Sequence, residues 1–144
     1  MKLLEIGFLA IFITLFSISC NRTDKNTFNS DDMLIRIAEI EIDSSHLDEY
    51  IAILKEESEA SVRKEPGVIS IFPMFQKEDP TEIRILEIYA NKEAYESHLK
   101  TQHFKHYKKE TSEMIKSLKL IDMQAIDEET MPKIFKKLKV KENK

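Results

Sequence analysis

Tryptophan is absent from this 144-residue chain, cysteine occurs once and glycine only twice. Gly7 lies in an apolar N-terminal run, so the rest of the chain holds only Gly67. A sequence this poor in glycine has no loop to cradle a phosphate, which argues against nucleotide, flavin or nicotinamide binding by the usual backbone route. The lone Cys20 cannot build a disulfide framework. Neither CxxC nor HExxH occurs. His103 and His106 stand three apart, but His106 lies among Lys105, Lys108 and Lys109 and is expected to face outward. No metal and no cofactor is therefore assigned. The net charge of −4, without a basic groove pattern, argues against nucleic acid.

Long apolar runs are confined to the N-terminus. Residues 1–19 carry Lys2, Glu5 and then an apolar stretch from Ile6 to Ile18. That stretch is short of the roughly 20 residues a membrane-spanning helix needs and suits a signal-peptide core. It ends at Ser17-Ile18-Ser19-Cys20, which resembles a bacterial lipoprotein box with serine where leucine is usual. Two readings follow: a lipidated Cys20 that anchors the protein to the cell envelope, which we favour, or an ordinary cleavage site beside an incidental cysteine. Residues 20–32 are polar and read as a tether. No aspartate follows Cys20, so the membrane and leaflet, on the periplasmic or outer-membrane side, stay open. At the other end, residues 127–144 open on Asp127-Glu128-Glu129 and turn basic, with six lysines against one glutamate from Thr130 onward. Met131, Ile134, Phe135 and Leu138 recur at helical spacing. The segment either lies on anionic lipid or folds back on an acidic surface; its short apolar face favours the second.

Residues 33–126 are about one domain's worth of chain. Leu34 to Ile42 is isoleucine-rich and alternating, the pattern of a strand. Ser44 or Ser45 is expected to cap a helix with the stripe Leu47, Tyr50, Ile51, Leu54, Ser58 and Val62, stopped by Pro66-Gly67. Val68 to Gln76 and Thr81 to Tyr89 are the next strands, with Pro73 implying an edge or a bulge. Asn91 and Thr101 are placed to cap two short helices, and a last strand is expected from Leu118 to Ile126. The order is βαββαβ, an α+β ferredoxin-like arrangement. In the second strand Val68, Phe72 and Met74 alternate with Ile69, Ile71 and Phe75, so both faces read as apolar. A one-sided antiparallel sheet should have a polar outer face, so a partner sheet is expected to cover it in a homodimer.

The stretch Tyr89 to Tyr107, YANKEAYESHLKTQHFKHY, concentrates the chemistry. Ala94, Tyr95, His98 and Leu99 share one helical face, and Phe104, Tyr107, Thr111, Met114, Ile115 and Leu118 continue the inward stripe. The strand end Glu87-Ile88-Tyr89-Ala90, the helix start Asn91 to Tyr95 and His98-Leu99-Lys100-Thr101-Gln102-His103-Phe104 with Tyr107 resemble the antibiotic biosynthesis monooxygenase (ABM) family, in particular its small quinol monooxygenases. The resemblance runs from Leu34 to Ile126, with Gln102 where relatives often carry proline. It implies a dimer around a central α/β-barrel and a monooxygenase that works without a cofactor on a quinol or similar small aromatic and molecular oxygen.

Such chemistry needs a dry pocket, a base and donors to a phenolate. His98 is the first candidate base and His103 the second, since imidazole titrates near neutral pH. Tyr89, Tyr95 and Tyr107 are candidates to orient hydroxyls; Phe72, Phe104 and Met114, with Phe75, are candidate walls. Arg36 and Arg84 either hold a carboxylate or pair with Glu39 and Glu87. Each has a plain structural alternative: histidines at helix ends often complete hydrogen bonds, and aromatics at helical spacing often fill cores. Haem-degrading enzymes share the fold, but their tryptophan position falls near His98 and their ligand histidine near Lys108, which disfavours that activity. A non-oxidative isomerase or a ligand-binding dimer at the envelope is the main alternative.

Overall fold

The structure, a computed structural model, describes residues 30–127 and 129–137. Strand β1 (Leu34–Ile42) leads through a 3-10 turn (Ser44–His46) into helix α1 (Leu47–Lys64). Strands β2 (Val68–Phe75) and β3 (Glu82–Tyr89), helices α2 (Lys92–His98) and α3 (Gln102–Thr111), strand β4 (Ile115–Met123) and a short helix α4 (Met131–Lys137) follow. The four strands form one antiparallel sheet in the order β2-β3-β1-β4. The fold is thus the expected α+β ferredoxin-like one. The signal segment, Cys20, most of the tether, Leu138 and residues 139–144 lie outside the described residues.

Local chemistry explains most boundaries. No serine caps α1: Asp43 caps the 3-10 turn before it, its carboxylate accepting from the Ser45 backbone N–H at 2.9 Å, and α1 starts after His46 without a side-chain cap. At the other end Glu65 is extended (φ −106°, ψ 106°), as the residue before Pro66 must be, and leaves the helix axis there. Gly67 is needed for close approach: a Cβ on it would stand 2.6 Å from the Ala94 Cβ of α2. Asn91 Oδ1 accepts from the Ala94 N–H at 2.8 Å and caps α2. Thr101 joins two helices with one hydroxyl, which donates to His98 O at 2.8 Å and accepts from the Phe104 N–H at 3.3 Å.

Three expectations need correcting. β4 starts at Ile115, three residues early, because Ile115 pairs with Ile42 beyond a bulge at Glu41/Ile42, and Met114 O accepts from the Asp43 N–H at 2.9 Å. In α1 the buried residues are Tyr50, Leu54, Glu57, Ser58, Ala60 and Ser61, whereas Val62 is exposed. In β2 a bulge between Val68 and Ser70 breaks the simple alternation. Val68, opposite Tyr89, therefore shares the helix side with Ile71, while Phe72 and Met74 point to the other.

The pairing register defines the two sheet faces. On the helix side, Ile83 and Ile85 of β3 stand beside Ile40 and Ala38 of β1, all buried in the core with Tyr50, Leu54 and Met114. On the other side, Phe72, Leu86, Ile37 and Ile121 form an apolar row across all four strands. The next row is Met74, Arg84, Glu39 and Lys119, tied by Arg84–Glu39 (3.7 Å) and Lys119–Glu39 (3.9 Å) ion pairs.

Candidate functional site

Between the helix side of the sheet and α1, α2 and α3 lies a cavity of about 680 Å³. Its floor is set by the sheet register: Ile40 with Leu118, Ala38 with Leu120, then Arg36 flanked by Glu87 and Asp122. The helices leave β4 uncovered, and Leu118 and Leu120 stay exposed at the cavity's open side. The walls are largely apolar, and polar groups gather at the end formed by Arg36, Glu57, Glu87, Tyr89, Tyr95 and His98. This volume and character suit a small ligand.

His98 closes the last turn of α2 and is only 2% exposed. Its ring packs against Phe104 (4.7 Å between centroids) and Tyr89 (5.4 Å). Its Nδ1 lies 3.0 Å from Glu65 Oε1, and its Nε2 lies 3.6 Å from Glu57 Oε1. Glu65 Oε1 is also 2.6 Å from His103 Nε2. One carboxylate therefore serves two imidazoles, while a second stands across the His98 ring. Burial works against the charge of Glu65, but hydrogen bonds from His98 and His103 outweigh it and hold that carboxyl below its ordinary value. Glu57 is 5% exposed, and burial pushes its carboxyl up despite a hydrogen bond from Ser61 Oγ at 2.7 Å.

The tyrosines surround this centre. Tyr89 donates to Glu87 Oε2 at 3.0 Å and is 5.2 Å from the Tyr95 ring. Burial raises both the Glu87 carboxyl and the Tyr89 phenol. The Tyr107 hydroxyl lies 2.7 Å from that of Tyr50, and burial pushes the Tyr107 phenol up to about 12. The Tyr89 and Tyr107 phenols stay protonated at neutral pH. Tyr89 gives its proton to Glu87, so toward substrate its oxygen accepts, while Tyr107 can donate to a developing oxyanion when Tyr50 donates to it. Arg36 lies 4.7 Å from the Tyr95 ring centroid and donates to Asp122 at 2.8 Å. Arg36 pairs with Asp122, whereas Arg84 pairs with Glu39.

Of the residues expected at the site, His98, Tyr89, Tyr95, Phe104 and Tyr107 line this cavity together. His103 lines a second cavity of about 470 Å³ between α1 and α3; Glu57 borders both cavities, and Glu65 joins His103 to His98. Phe72 is on the opposite sheet face and 57% exposed, and Phe75, 53% exposed, is also outside the cavity wall. Met114 is buried in the core, not in the cavity wall. His106 is exposed, with its Nδ1 4.0 Å from Glu110. Glu57, Glu65 and Glu87 are site residues that sequence reasoning did not place there. Glu65, His98 and His103 bring donor atoms within 4.8 Å of one another. Two donors on one small ion sit roughly 3.3 Å apart, so the 2.6 Å contact fits a charge-assisted hydrogen bond instead.

Residues 33–110 match the family described as antibiotic biosynthesis monooxygenase. A solved structure from Bacteroides thetaiotaomicron VPI-5482, provisionally named for that family, is 44% identical (TM-score 0.68) over 69% of this chain and 94% of its own. A provisionally named monooxygenase from Lactobacillus acidophilus NCFM is 32% identical (TM-score 0.63), over 64% of this chain and 44% of its own. A third, from Caulobacter crescentus CB15, shares the fold at 18% identity and a TM-score of 0.62, over 67% of this chain and 92% of its own. The comparison with curated proteins gave no match. With more than half of its length matched, the chain belongs to the antibiotic biosynthesis monooxygenase family.

Proposed function

We propose that the protein is a monooxygenase that needs no bound cofactor and acts on a quinol or similar dihydroxyarene. The observation that carries this reading is the position of His98: a buried imidazole in the wall of a largely apolar cavity, with one ring nitrogen engaged by Glu65 and the other not hydrogen-bonded. Removing a phenolic proton there makes the ring a good electron donor to dioxygen. Transfer of one electron gives a semiquinone and superoxide, whose recombination forms a ring–oxygen bond. One oxygen atom stays on the ring as a carbonyl and the other leaves as water, with the quinol itself supplying the electrons. Tyr89, Tyr95 and Tyr107 would hold the substrate oxygens, and Phe104 its ring.

The test is oxygen uptake by the purified protein across a panel of reduced quinols. Uptake above the buffer blank is expected, and His98→Gln should lower kcat by about 10²-fold or more, the usual share of a general base. Uptake equal to the blank across the panel would favour a non-oxidative isomerase or a binding role. The apolar row Phe72, Leu86, Ile37 and Ile121 supports a homodimer that buries this sheet face. Export and anchoring through Cys20 rest on the sequence alone; Cys20→Ser should move the protein from the membrane fraction to the soluble one.

A further inference from the structure

We infer that α1 completes the site with two glutamates of opposite role: Glu65 is a positioning carboxylate that holds His98 with Nε2 toward the cavity, and Glu57 is the general acid. The inference rests on the reading of His98 as the base and deepens it.

The geometry divides the roles. Glu65 Oε1 stands 3.0 Å from His98 Nδ1 and 2.6 Å from His103 Nε2. An ionised carboxylate only accepts, so both nitrogens must donate to it. A neutral His98 then carries its single proton on Nδ1, and Nε2 keeps the lone pair that can take a proton from substrate. The same carboxylate stabilises the imidazolium that forms, as in other carboxylate–histidine pairs. Glu57 stands 3.6 Å from that Nε2, borders both cavities and is nearly sealed from water. Among the described residues the basic groups that face it are His98 and His103, both engaged by Glu65, and Ser61 donates to it. Burial favours its neutral form. Two carboxyls beside one imidazole, pushed in opposite directions by their surroundings, mark an acid and a charged partner. Among the other charged groups at this end, Glu87 is engaged by Tyr89, and Arg36 by Asp122.

The proton inventory closes. His98 Nε2 takes the quinol O–H proton. After the ring–oxygen bond forms, Glu57 gives its proton to the distal peroxide oxygen. The Glu57 carboxylate then removes the ring C–H proton as the O–O bond breaks, so the electron pair of that bond leaves with hydroxide and a carbonyl forms. The His98 imidazolium protonates the hydroxide to water. Both side chains return to their starting states, and no proton crosses from solvent.

Two measurements on the full-length protein test this without turnover. Nitrogen-15 NMR of labelled histidine at neutral pH should show His98 protonated at Nδ1 and bare at Nε2, with that preference lost in Glu65→Ala. Infrared spectroscopy should show a carboxylic-acid carbonyl band at neutral pH that disappears in Glu57→Gln. In the oxygen-uptake assay Glu57→Gln should lower kcat by about 10²-fold with little change in KM, and Glu57→Asp should recover part of it. A His98 proton on Nε2 in the wild type, or no Glu57 acid band, overturns the inference even if a variant fails to fold. Full uptake in Glu57→Gln overturns the acid role and leaves the monooxygenase reading intact; no uptake in the wild type overturns that reading instead.

Discussion

Replacing His98 with alanine should damage the fold as well as any chemistry, and the size and pH dependence of that damage can be worked out. His98 is 2% exposed and lies between two glutamates whose side chains are themselves only 5% and 12% exposed. Removing the donor of a hydrogen bond to a charged group costs about 1.5–3 kcal/mol, and the packing of the His98 ring on Phe104 and Tyr89 is lost with it. Here the loss is softened, because Glu65 keeps His103 at 2.6 Å and Glu57 keeps Ser61 at 2.7 Å. The hole left behind joins an existing cavity that water can enter, so little is added for a sealed void. The net expectation is about 1.5–3 kcal/mol at neutral pH. For a domain near 100 residues, each kcal/mol lowers Tm by roughly 4–8 °C. His98→Gln, which can still donate to Glu65, should lose less than half as much. The pH dependence has a definite sign. The Glu65 carboxyl is depressed in the folded protein, so its contribution is present above its ordinary value of 4.5 and is lost as pH falls through the lower folded value. His98→Ala removes part of that depression, so the gap between wild type and variant should narrow in acid below pH 4.5. Urea titrations followed by circular dichroism at pH 7 and at the lowest pH where both fold would show it. A gap under 1 kcal/mol at pH 7, or one that does not change with pH, would refute the reasoning.

Two further predictions concern packing. Gly67→Ala places a Cβ 2.6 Å from the Ala94 Cβ, so α2 must shift, and thermal melts should show a loss of about 1–3 kcal/mol; a loss under 0.5 kcal/mol would mean that α2 yields freely. Phe72→Asp puts a charge on the apolar row of the outer sheet face, where Phe72 is 57% exposed in one chain. It should leave the circular dichroism spectrum unchanged and convert a dimeric mass in light scattering to a monomeric one. A monomeric wild type would remove the need for any partner sheet.

The parts of this fold that were legible in the sequence are those fixed by neighbours in the chain. Asn91 and Thr101 announce their helices because a cap acts over three residues. β1 and β3 alternate cleanly because no bulge interrupts their ladder with each other. β2 misleads because its bulge at Val68/Ser70 turns Phe72 away from the cavity, and a bulge leaves no mark in a run of apolar residues. β4 misleads because its true start is set by pairing with Ile42, far back in the chain.

The glutamates of α1 are the instructive case. Glu65 meets His98 and His103 at separations of 33 and 38 residues, which no local pattern can encode. Glu57 is different. It stands three residues after Leu54 and seven after Tyr50, on the stripe that continues to Ser61, so its inward position was open to inspection. Continuing the stripe from Leu54 through Ser58 alone selects Val62, which is 48% exposed. A charged group buried without a partner is costly enough that a carboxyl there must either be neutralised by a proton or face a cation. An inward glutamate in the helix packed against α3 therefore implies polar partners across the fold before any coordinates are known. The only histidines on the facing elements with inward spacing are His98 and His103, and both stand in this cluster.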